Sequence, residues 1–409
     1  MTHEQKLLIQ GHAYSCADEA LQEALARVYG RPERPRCLCV PGGLEMYIAR
    51  LGRYVVKRMP ETGHQHHPDC PSYEPEPGQS GLNELLGEAI VESSPDHVDL
   101  YLDFPLVRLP VRRMTQRVQG DVPADVEVPR RRLSLHALLH LLWERAGFNR
   151  WVPAMEGKRN WGVLRQHLLE AAQQFQTKGA PLIDFLHIPE GFRMEQAAAI
   201  SQRRRDDLAR LHSVSEPGAF PMMVMIGEFK SVEPSTYGRR VWLKHLPDCP
   251  LFIDEKAWQR AERVFKDLIE AREASPQARL RLVLAALVSA KAAFTYRIET
   301  LTLMLTTAEW IPVDGLPEAQ LVAALVGQAR RFLKPLRYDA RASVRYPSAL
   351  LLDTVAAPTP LTVVSSVPVD PGHVASVDSA MGAASGAWAW RINEGMPSLP
   401  ASRRSGIVS

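Results

Sequence analysis

The sequence predicts an α+β protein of several domains, and three observations lead to that prediction. Its 409 residues far exceed the roughly 150 residues of an average domain. Helical hydrophobic periods and strand-like apolar runs occupy separate stretches, with proline-rich segments between them. The composition, with 45% hydrophobic and 23% charged residues, is that of a folded chain, which excludes wholesale disorder.

The proline-rich breaks divide the chain into five predicted regions. Residues 1–80 form an N-terminal module, residues 81–212 a basic segment followed by helices, and residues 213–312 a mixed α/β region. Residues 313–400 form a second α/β core, and residues 401–409 a disordered tail.

Charge and hydropathy restrict the class of protein. Lysine and arginine total 49 against 46 aspartate and glutamate, so the net charge of +3 does not by itself indicate a nucleic-acid partner. The N-terminus lacks the basic segment and apolar run of a secretion signal, and no window approaches the roughly 18 apolar residues of a membrane helix. We therefore expect a cytoplasmic protein without a membrane partner.

Three of the five cysteines lie close to histidines in the N-terminal region. Thiolates and imidazole are the ligands that a structural zinc ion selects, and four of them close a tetrahedral site. We assign the ligands as Cys37, Cys39, His67 and Cys70, with His66 as the alternative to His67. Four protein ligands leave no open coordination position, so the zinc is predicted to be structural. The other interpretation is that the cysteines are small buried hydrophobes beside a polar turn.

The segments around these ligands explain how the two pairs could meet. Leu44 to Arg50 and Tyr54 to Met59 are strand-like runs that flank the turn Leu51-Gly52-Arg53. Antiparallel pairing would return the chain to its starting point and bring the ligand pairs together at the open end of a hairpin. Before the hairpin, Asp18 to Tyr29 has the period of a short helix that stops at Gly30.

A family resemblance begins in this region and covers almost the whole chain. The segments concerned are Arg36 to Cys39, Met46 to Ala49, Lys57 to His64, His67 to Glu74, Gly147 to Trp151, Lys334 to Tyr338 and Trp388 to Trp390. In these segments the chain resembles the uncharacterised bacterial family numbered 1173 among domains of unknown function. The resemblance implies the context of a mobile element such as an integrative conjugative element or plasmid, where protein partners in a conjugative or DNA-processing complex are expected. It implies no catalytic assignment.

An arginine-rich segment runs from Arg108 to Arg132. The segment contains seven arginines and three acidic residues, which gives it a net charge of +4. Such a density can neutralise phosphates, and the release of condensed counterions would drive sequence-independent DNA binding. An ordinary solvated surface is the alternative. The predicted DNA-binding residues are Arg112, Arg113, Arg130, Arg131 and Arg132.

Helical periods follow the arginines. Ser134 is placed to cap one helix and Asn160 the next, and Glu195 to His212 has the pattern of a third helix. These helices could form a winged-helix-like unit. We expect Trp151 and Trp161 in its core rather than on a base-stacking surface, since tryptophan is highly buried on average.

Beyond Pro217, short apolar runs predict strands. Met222 to Val232 and Arg239 to Lys244 suit a hairpin, and Asp254 to Ala274 suits an amphipathic helix. The run Arg279 to Trp310 is consistent with either long strands or a helix, and we favour strands because Tyr296 to Leu303 alternates in part as a strand does. Glu228-Phe229-Lys230 is a Glu-x-Lys triplet of the type found in many nucleases, but an alternating strand often produces it by chance.

The C-terminal region predicts an αβββαβ order like that of the restriction-endonuclease-like core. The predicted elements are Glu318 to Leu333, Leu336 to Arg345, Ala349 to Thr354, Leu361 to Val367, Val374 to Ala384 and Ala387 to Ile392. The positions that match the nuclease carboxylate and Glu-x-Lys are Ser348 and Thr362-Val363-Val364, which are uncharged. Glu318 and Asp353 remain, but they do not form a complete metal-binding set.

Two functions are consistent with the sequence. The first is a non-catalytic, zinc-stabilised accessory protein of a bacterial mobile element that binds DNA or protein partners. The alternative is a metal-dependent nuclease with an atypical or degenerate active site. The chain contains no phosphate-binding loop, nucleophile elbow or His-Glu-x-x-His helix, so the corresponding enzyme classes are disfavoured.

Overall fold

The fold is described by a computed structural model over residues 5–60, 62–76, 78–92, 97–108, 131–212, 220–292, 294–340, 346–355, 357–364 and 388–403. Within these ranges the chain forms four β-sheets and seven α-helices, which confirms the predicted α+β class. The helices are α1 (Leu21–Val28), α2 (Leu135–Arg145), α3 (Trp161–Ala172), α4 (Ala197–Leu208), α5 (Glu255–Val264), α6 (Lys266–Ala274) and α7 (Leu316–Gly327).

The strands in the first half of the chain are β1 (Lys6–Ile9), β2 (His12–Ser15), β3 (Arg36–Cys37), β4 (Leu44–Leu51), β5 (Arg53–Arg58), β6 (Ile90–Glu92), β7 (Val98–Leu100), β8 (Val107–Arg108), β9 (Arg150–Trp151), β10 (Phe175–Thr177), β11 (Ala180–Pro181) and β12 (Leu186–His187). Those in the second half are β13 (Phe220–Ser235), β14 (Gly238–Leu243), β15 (Leu251–Ile253), β16 (Arg281–Ala292), β17 (Thr295–Thr306), β18 (Phe332–Leu333), β19 (Ala349–Leu351), β20 (Thr359–Val364) and β21 (Trp388–Arg391).

The N-terminal sheet is antiparallel in the order β2-β1-β3-β4-β5. The predicted hairpin is confirmed as β4 and β5, which turn at Gly52 with a φ of +70° that favours glycine. Helix α1 packs Leu21, Leu25 and Val28 into the core of this sheet. We call this sheet, α1 and the turn region 62–76 the N-terminal module.

The helices that follow begin as the sequence predicts. The Ser134 hydroxyl accepts a hydrogen bond from the Ala137 N–H (3.0 Å), and the Asn160 side chain accepts one from the Val163 N–H (3.1 Å). Trp151 and Trp161 are both buried, as expected for core residues.

Five strands of the largest sheet close into a barrel, the central barrel, in the order β13-β14-β15-β17-β16 and back to β13. All of these pairs are antiparallel except β15 and β17, which are parallel. The long strand β13 makes both closing contacts, since Met222 to Glu228 pair with β16 and its second half pairs with β14. The predicted hairpin and the strand interpretation of Arg279 to Trp310 are confirmed.

Helices α5 and α6 connect β15 to β16 in the central barrel. The sequence predicts one helix from Asp254 to Ala274, but the structure divides it at Phe265, whose φ of −104° and ψ of 16° depart from helical values. Phe265 packs against the barrel core, and this tertiary contact accompanies the break.

The C-terminal sheet has the order β21-β20-β19-β18-β9. Helix α7 ends at Gly327 and not at the predicted Leu333, because the chain turns through Ala329 (φ +51°) and continues as β18. The predicted strand from Leu336 is wrong where it is described, since residues 336–340 are loop and turn after Pro335, which has no N–H for a sheet ladder.

The remaining C-terminal predictions have mixed outcomes. Strands β19, β20 and β21 confirm the predicted strands at Ala349, Leu361 and Ala387, although β19 ends earlier than predicted, at Leu351, and β20 begins earlier, at Thr359. The predicted second helix, Val374 to Ala384, lies outside the described residues. In the predicted tail, the Arg403 N–H donates to the Asp353 carbonyl (2.7 Å), and residues 404–409 lie outside the described part.

Three hydrophobic cores connect distant parts of the chain. The N-terminal core includes Leu350 of the C-terminal sheet, and the barrel core includes Trp151. A third core joins the helices after Ser134 to Met222, Val224 and Ile226, which lie on the outer face of β13. The division into five regions stays a prediction. Among the described residues, no helix is long and apolar enough to cross a membrane.

Candidate metal centre

One ligand pair precedes the β4–β5 hairpin and the other follows it, so both lie at its open end. Cys37 ends β3, where pairing with Leu7 of β1 and Leu44 of β4 places it at the centre of the N-terminal sheet. Cys39 follows two residues later. Cys70 lies in a tight turn, and its N–H donates to the carbonyl of His67 (2.7 Å).

The structure brings Cys37, Cys39 and Cys70 together with His66. The four candidate ligand atoms lie within 4.8 Å of one another. The sulfurs of Cys37 and Cys70 are 3.6 Å apart, and His66 Nδ1 lies 3.2 Å from the sulfur of Cys39 and 3.7 Å from that of Cys70. A tetrahedral zinc ion with bonds of about 2.3 Å to sulfur and about 2.1 Å to nitrogen separates its ligand atoms by about 3.6 to 3.8 Å. This buried cluster could therefore hold a metal such as zinc.

The histidine of the cluster is His66, the alternative, and not His67, which we assigned first. His66 is 2% exposed. His67 is half-buried and faces the other way, because its Nδ1 accepts a hydrogen bond from the Asp69 N–H (3.2 Å). Adjacent side chains on an extended segment point to opposite sides, so only one of the two can reach the sulfurs.

The thiols do not ionise alike. The hydrogen bond with Cys70 holds the pKa of the Cys37 thiol well below its ordinary value, and the same bond, together with burial, raises the pKa of Cys70. Burial also raises the pKa of Cys39. Without a cation the cluster thus favours one thiolate, and full ionisation of all three sulfurs requires a positive charge at the centre.

Side chains from distant parts of the sequence hold the cluster against the rest of the protein. Arg150 donates to the carbonyls of Cys70 and Tyr73, both at 2.7 Å, and Arg331 pairs with Asp69 at 3.0 Å. Sequence reasoning gave neither arginine a role at the metal centre. No local pattern could have revealed that role, because each arginine is far from its partner along the chain.

A cleft of about 1180 Å³ lies between the N-terminal module and the helices. On one wall, Arg58 pairs with Glu74, and Arg145 lies 3.8 Å from the same carboxylate. Glu144 accepts a hydrogen bond from the Tyr338 hydroxyl (2.7 Å). Burial, reinforced by the nearby charge of Glu74, raises the pKa of Glu144 to about 7.

The predicted DNA-binding arginines are only partly described. Arg112, Arg113 and Arg130 lie outside the described residues. Arg131 and Arg132 are both exposed. Arg131 pairs with Glu84 at 2.8 Å, and its N–H donates to Glu88 (2.9 Å). The positive charge of Arg131, one of the five predicted DNA-binding arginines, is therefore already offset by a carboxylate.

The carboxylates of the nuclease alternative are engaged in ion pairs. Glu318 lies 3.0 Å from the buried Lys334, and Asp353 is 2.8 Å from Arg330. Glu228 of the Glu-x-Lys triplet contacts both Lys244 (3.2 Å) and Arg281 (3.1 Å). Across the described residues, the Cys37, Cys39, His66 and Cys70 cluster is the one group of three or more side chains placed to hold a metal.

These features define an α+β protein with a single candidate metal centre among its described residues. The chain belongs to the family described as "Protein of unknown function (DUF1173)", whose model matches residues 8–393. No curated protein and no solved structure matches the chain.

Proposed function

We propose that this protein is a non-catalytic, zinc-stabilised accessory protein that binds DNA. The observation that carries the proposal is the closed set of four ligand atoms from Cys37, Cys39, His66 and Cys70. A zinc ion bound by all four has no position left for water or substrate, so it serves folding and not catalysis. The engaged carboxylates of Glu318 and Asp353 support the same conclusion.

DNA is the proposed partner because of the arginine-rich segment. The excess of +4 between Arg108 and Arg132 is larger than the net charge of the whole chain. Its exposed end at Arg132 supports contact with phosphates. The mobile-element context implied by the family resemblance makes a conjugative or DNA-processing complex the setting in which such binding would operate.

The proposal includes a winged-helix-like unit in the helical region and a nuclease-like core in the C-terminal region. The antiparallel pair β10 and β11 directly follows α3, as the wing does in a winged-helix unit. In the C-terminal sheet, β19 and β20 are antiparallel and β21 is parallel to β20, which supports a nuclease-like core. Its two motif positions meet, because the Ser348 hydroxyl accepts a hydrogen bond from the Val363 N–H (3.2 Å). Neither residue supplies a charge, so the core is a degenerate one.

The DNA proposal is tested by substituting Arg112, Arg113, Arg130, Arg131 and Arg132 with glutamine. Each arginine that no longer neutralises a phosphate should reduce the slope of log affinity against log salt on duplex DNA by about 0.9. Fluorescence anisotropy at several salt concentrations measures this slope. Arg205→Gln, which removes an exposed arginine of α4, is the control and should leave the slope unchanged. Equal affinity and slope in the five-residue variant and the wild type would reject the proposal.

The non-catalytic part is tested by incubation with plasmid and oligonucleotides in Mg²⁺ or Mn²⁺. We expect no cleavage, because the motif positions of the C-terminal core carry no charge to hold a divalent ion. Cleavage that disappears in Glu318→Gln or Asp353→Asn, both close in shape to the original side chains, would instead establish the nuclease.

A further inference from the structure

The central barrel has a strand order that indicates a binding face. Its five strands pair in the order first-second-third-fifth-fourth and back to the first, with the third and fifth parallel. A helical segment, α5 and α6, connects the third strand to the fourth. This is the connectivity of an OB-fold barrel, in which the face of strands two and three and the loops beside it bind oligonucleotides or oligosaccharides. Since a fold alone does not establish a function, the side chains on that face decide the question.

Aromatic and cationic side chains alternate across this face. Along β14 and β15, Val241, Leu243, Leu251 and Ile253 are buried in the barrel, whereas the residues between them are only partly buried. The register places Arg240 beside Phe252, and Phe252 beside Arg297 of β17. Trp242 lies next along β14 on the same side. The outer face thus presents Phe252 between two arginines, with Trp242 beside Arg240 along β14.

Exposed aromatic residues stand at the two loops that border this face. Tyr237, in the turn between β13 and β14, is 92% exposed, and Phe294, in the turn between β16 and β17, is 64% exposed. Since β15 and β17 are parallel, these turns lie at opposite ends of β15. The two rings thus flank the face with exposed flat surfaces on which bases can stack.

The charge of the surface defines the ligand. Lys230, Lys291 and Arg297 are exposed and form no ion pair among the described residues. Arg240 is offset by Glu233 at 3.7 Å. Unpaired cations interleaved with aromatic rings fit a flexible polyanion whose bases can stack, which is the chemistry of a single strand and not of a stacked duplex.

We propose that single-stranded DNA binds across β14 and β15, with bases stacked on Tyr237, Phe252 and Phe294 and phosphates near Lys291 and Arg297. The inference rests on the proposed function in that DNA is the partner. It adds a second site, formed by residues that do not belong to the arginine-rich segment, and the strand state that this site recognises.

The experiment measures anisotropy of a labelled 20-mer of thymidine, its duplex with adenosine and the matching uridine RNA, all with the zinc-loaded full-length protein. We expect the single strand to bind at least tenfold tighter than the duplex at equal salt. Tyr237→Ala and Phe294→Ala should each weaken single-strand binding by roughly tenfold, since stacking on an aromatic side chain is worth that much per base. Tyr237→Phe should retain affinity, whereas Tyr237→Leu should not. Arg297→Gln should reduce the salt slope by about 0.7.

Phe220→Ala is the control, because Phe220 is an exposed aromatic residue at the far end of β13. Wild-type affinity in the Tyr237→Ala, Phe294→Ala double variant would overturn the inference, as would RNA bound tenfold tighter than DNA. Duplex binding that depends on the arginine-rich segment without single-strand binding would leave the proposed function intact and reject this site. Absence of all DNA binding would reject both.

Discussion

The N-terminal module and the central barrel are both β-rich, but different forces hold them together. In the barrel, residues Met222 to Ile226 of β13 are buried in succession, and alternate side chains enter two different cores. In the module, β2 is exposed along much of its length, and the core is small and partly borrowed from the C-terminal sheet. A small core buries too little apolar surface for stability, so under the proposed function the bonds to zinc would be the main cohesive interaction there.

The two regions are therefore vulnerable in different ways. The barrel depends on the apolar area buried in its interior and, at β13 and β16, on its outer face as well, which no single polar group controls. With zinc bound as proposed, the module would depend on the four side chains of Cys37, Cys39, His66 and Cys70. Buried charged groups attach the module to the rest of the protein. They include Arg150, which donates hydrogen bonds to two backbone carbonyls, and the ion pair between Arg331 and Asp69. We expect the largest effects at the metal and the smallest at single ionisable groups.

Removal of zinc should unfold the module and leave the barrel folded. The binding free energy of a structural zinc site is about 10 kcal/mol or more, and in a region with a small core it is largely folding free energy. Hydrogen exchange after chelation should therefore show reduced protection at Leu44–Leu51 and unchanged protection at Arg281–Ala292. Uniform protection in both states would contradict this difference between the regions.

The two histidines should differ in their effect on the metal. His66→Asn should lower zinc content well below the one equivalent expected for the wild type, because His66 lies in the cluster. His67→Asn is the matched control and should retain the metal. Metal analysis of both variants, with Cys37→Ser and Cys70→Ser as references, measures the difference. Retention of zinc in His66→Asn would overturn the ligand assignment.

A cavity in the barrel should destabilise the protein without affecting the metal. Leu284 of β16 is completely buried, and Leu284→Ala should cost about 3 to 5 kcal/mol of unfolding free energy. Urea denaturation gives the change, and zinc content should stay at the wild-type value. Val264→Ala on the exposed face of α5 should change stability by less than about 0.5 kcal/mol. Zinc loss in Leu284→Ala would show that the two regions are not independently held.

The cleft between the N-terminal module and the helices should make the stability of the protein sensitive to pH through Glu144. Its native pKa of about 7 lies above that of an unfolded glutamate, so the native state binds the extra proton. Stability from this group is therefore present at low pH and is lost as pH rises from about 4.5 to about 7, by roughly 3 kcal/mol in total.

Glu144→Gln should remove this loss of stability at high pH, because a buried glutamine side chain is neutral at every pH and does not have to bind a proton. The variant should gain about 3 kcal/mol over the wild type at pH 8 and almost nothing at pH 4.5, measured by urea denaturation. Glu156→Gln, an exposed glutamate, serves as the control and should follow the wild type at both pH values. Parallel pH profiles for wild type and Glu144→Gln would contradict the prediction.

Local signals allowed much of the fold to be predicted. The caps at Ser134 and Asn160 and the turn at Gly52 depend on neighbours within four residues, so a short window contains the whole interaction. The same is true of the alternation in β17. The end of α7 was wrongly predicted because it depends on distant residues. Phe332 and Leu333 continue the helical sequence pattern but pair as a strand with β9 and β19, which are far away in the chain.

The candidate sites likewise depend partly on local interactions and partly on long-range ones. By itself the sequence determined that three cysteines and a histidine beside a hairpin could form a closed metal site, since residue type and hairpin geometry are local properties. Only the tertiary structure decided between His66 and His67, because the orientation of that turn depends on Arg150 from a distant strand. The tertiary structure also decided that Glu318 and Asp353 form ion pairs with Lys334 and Arg330, and that β13 closes a barrel. These outcomes depend on contacts between residues far apart in the chain, which no local pattern encodes.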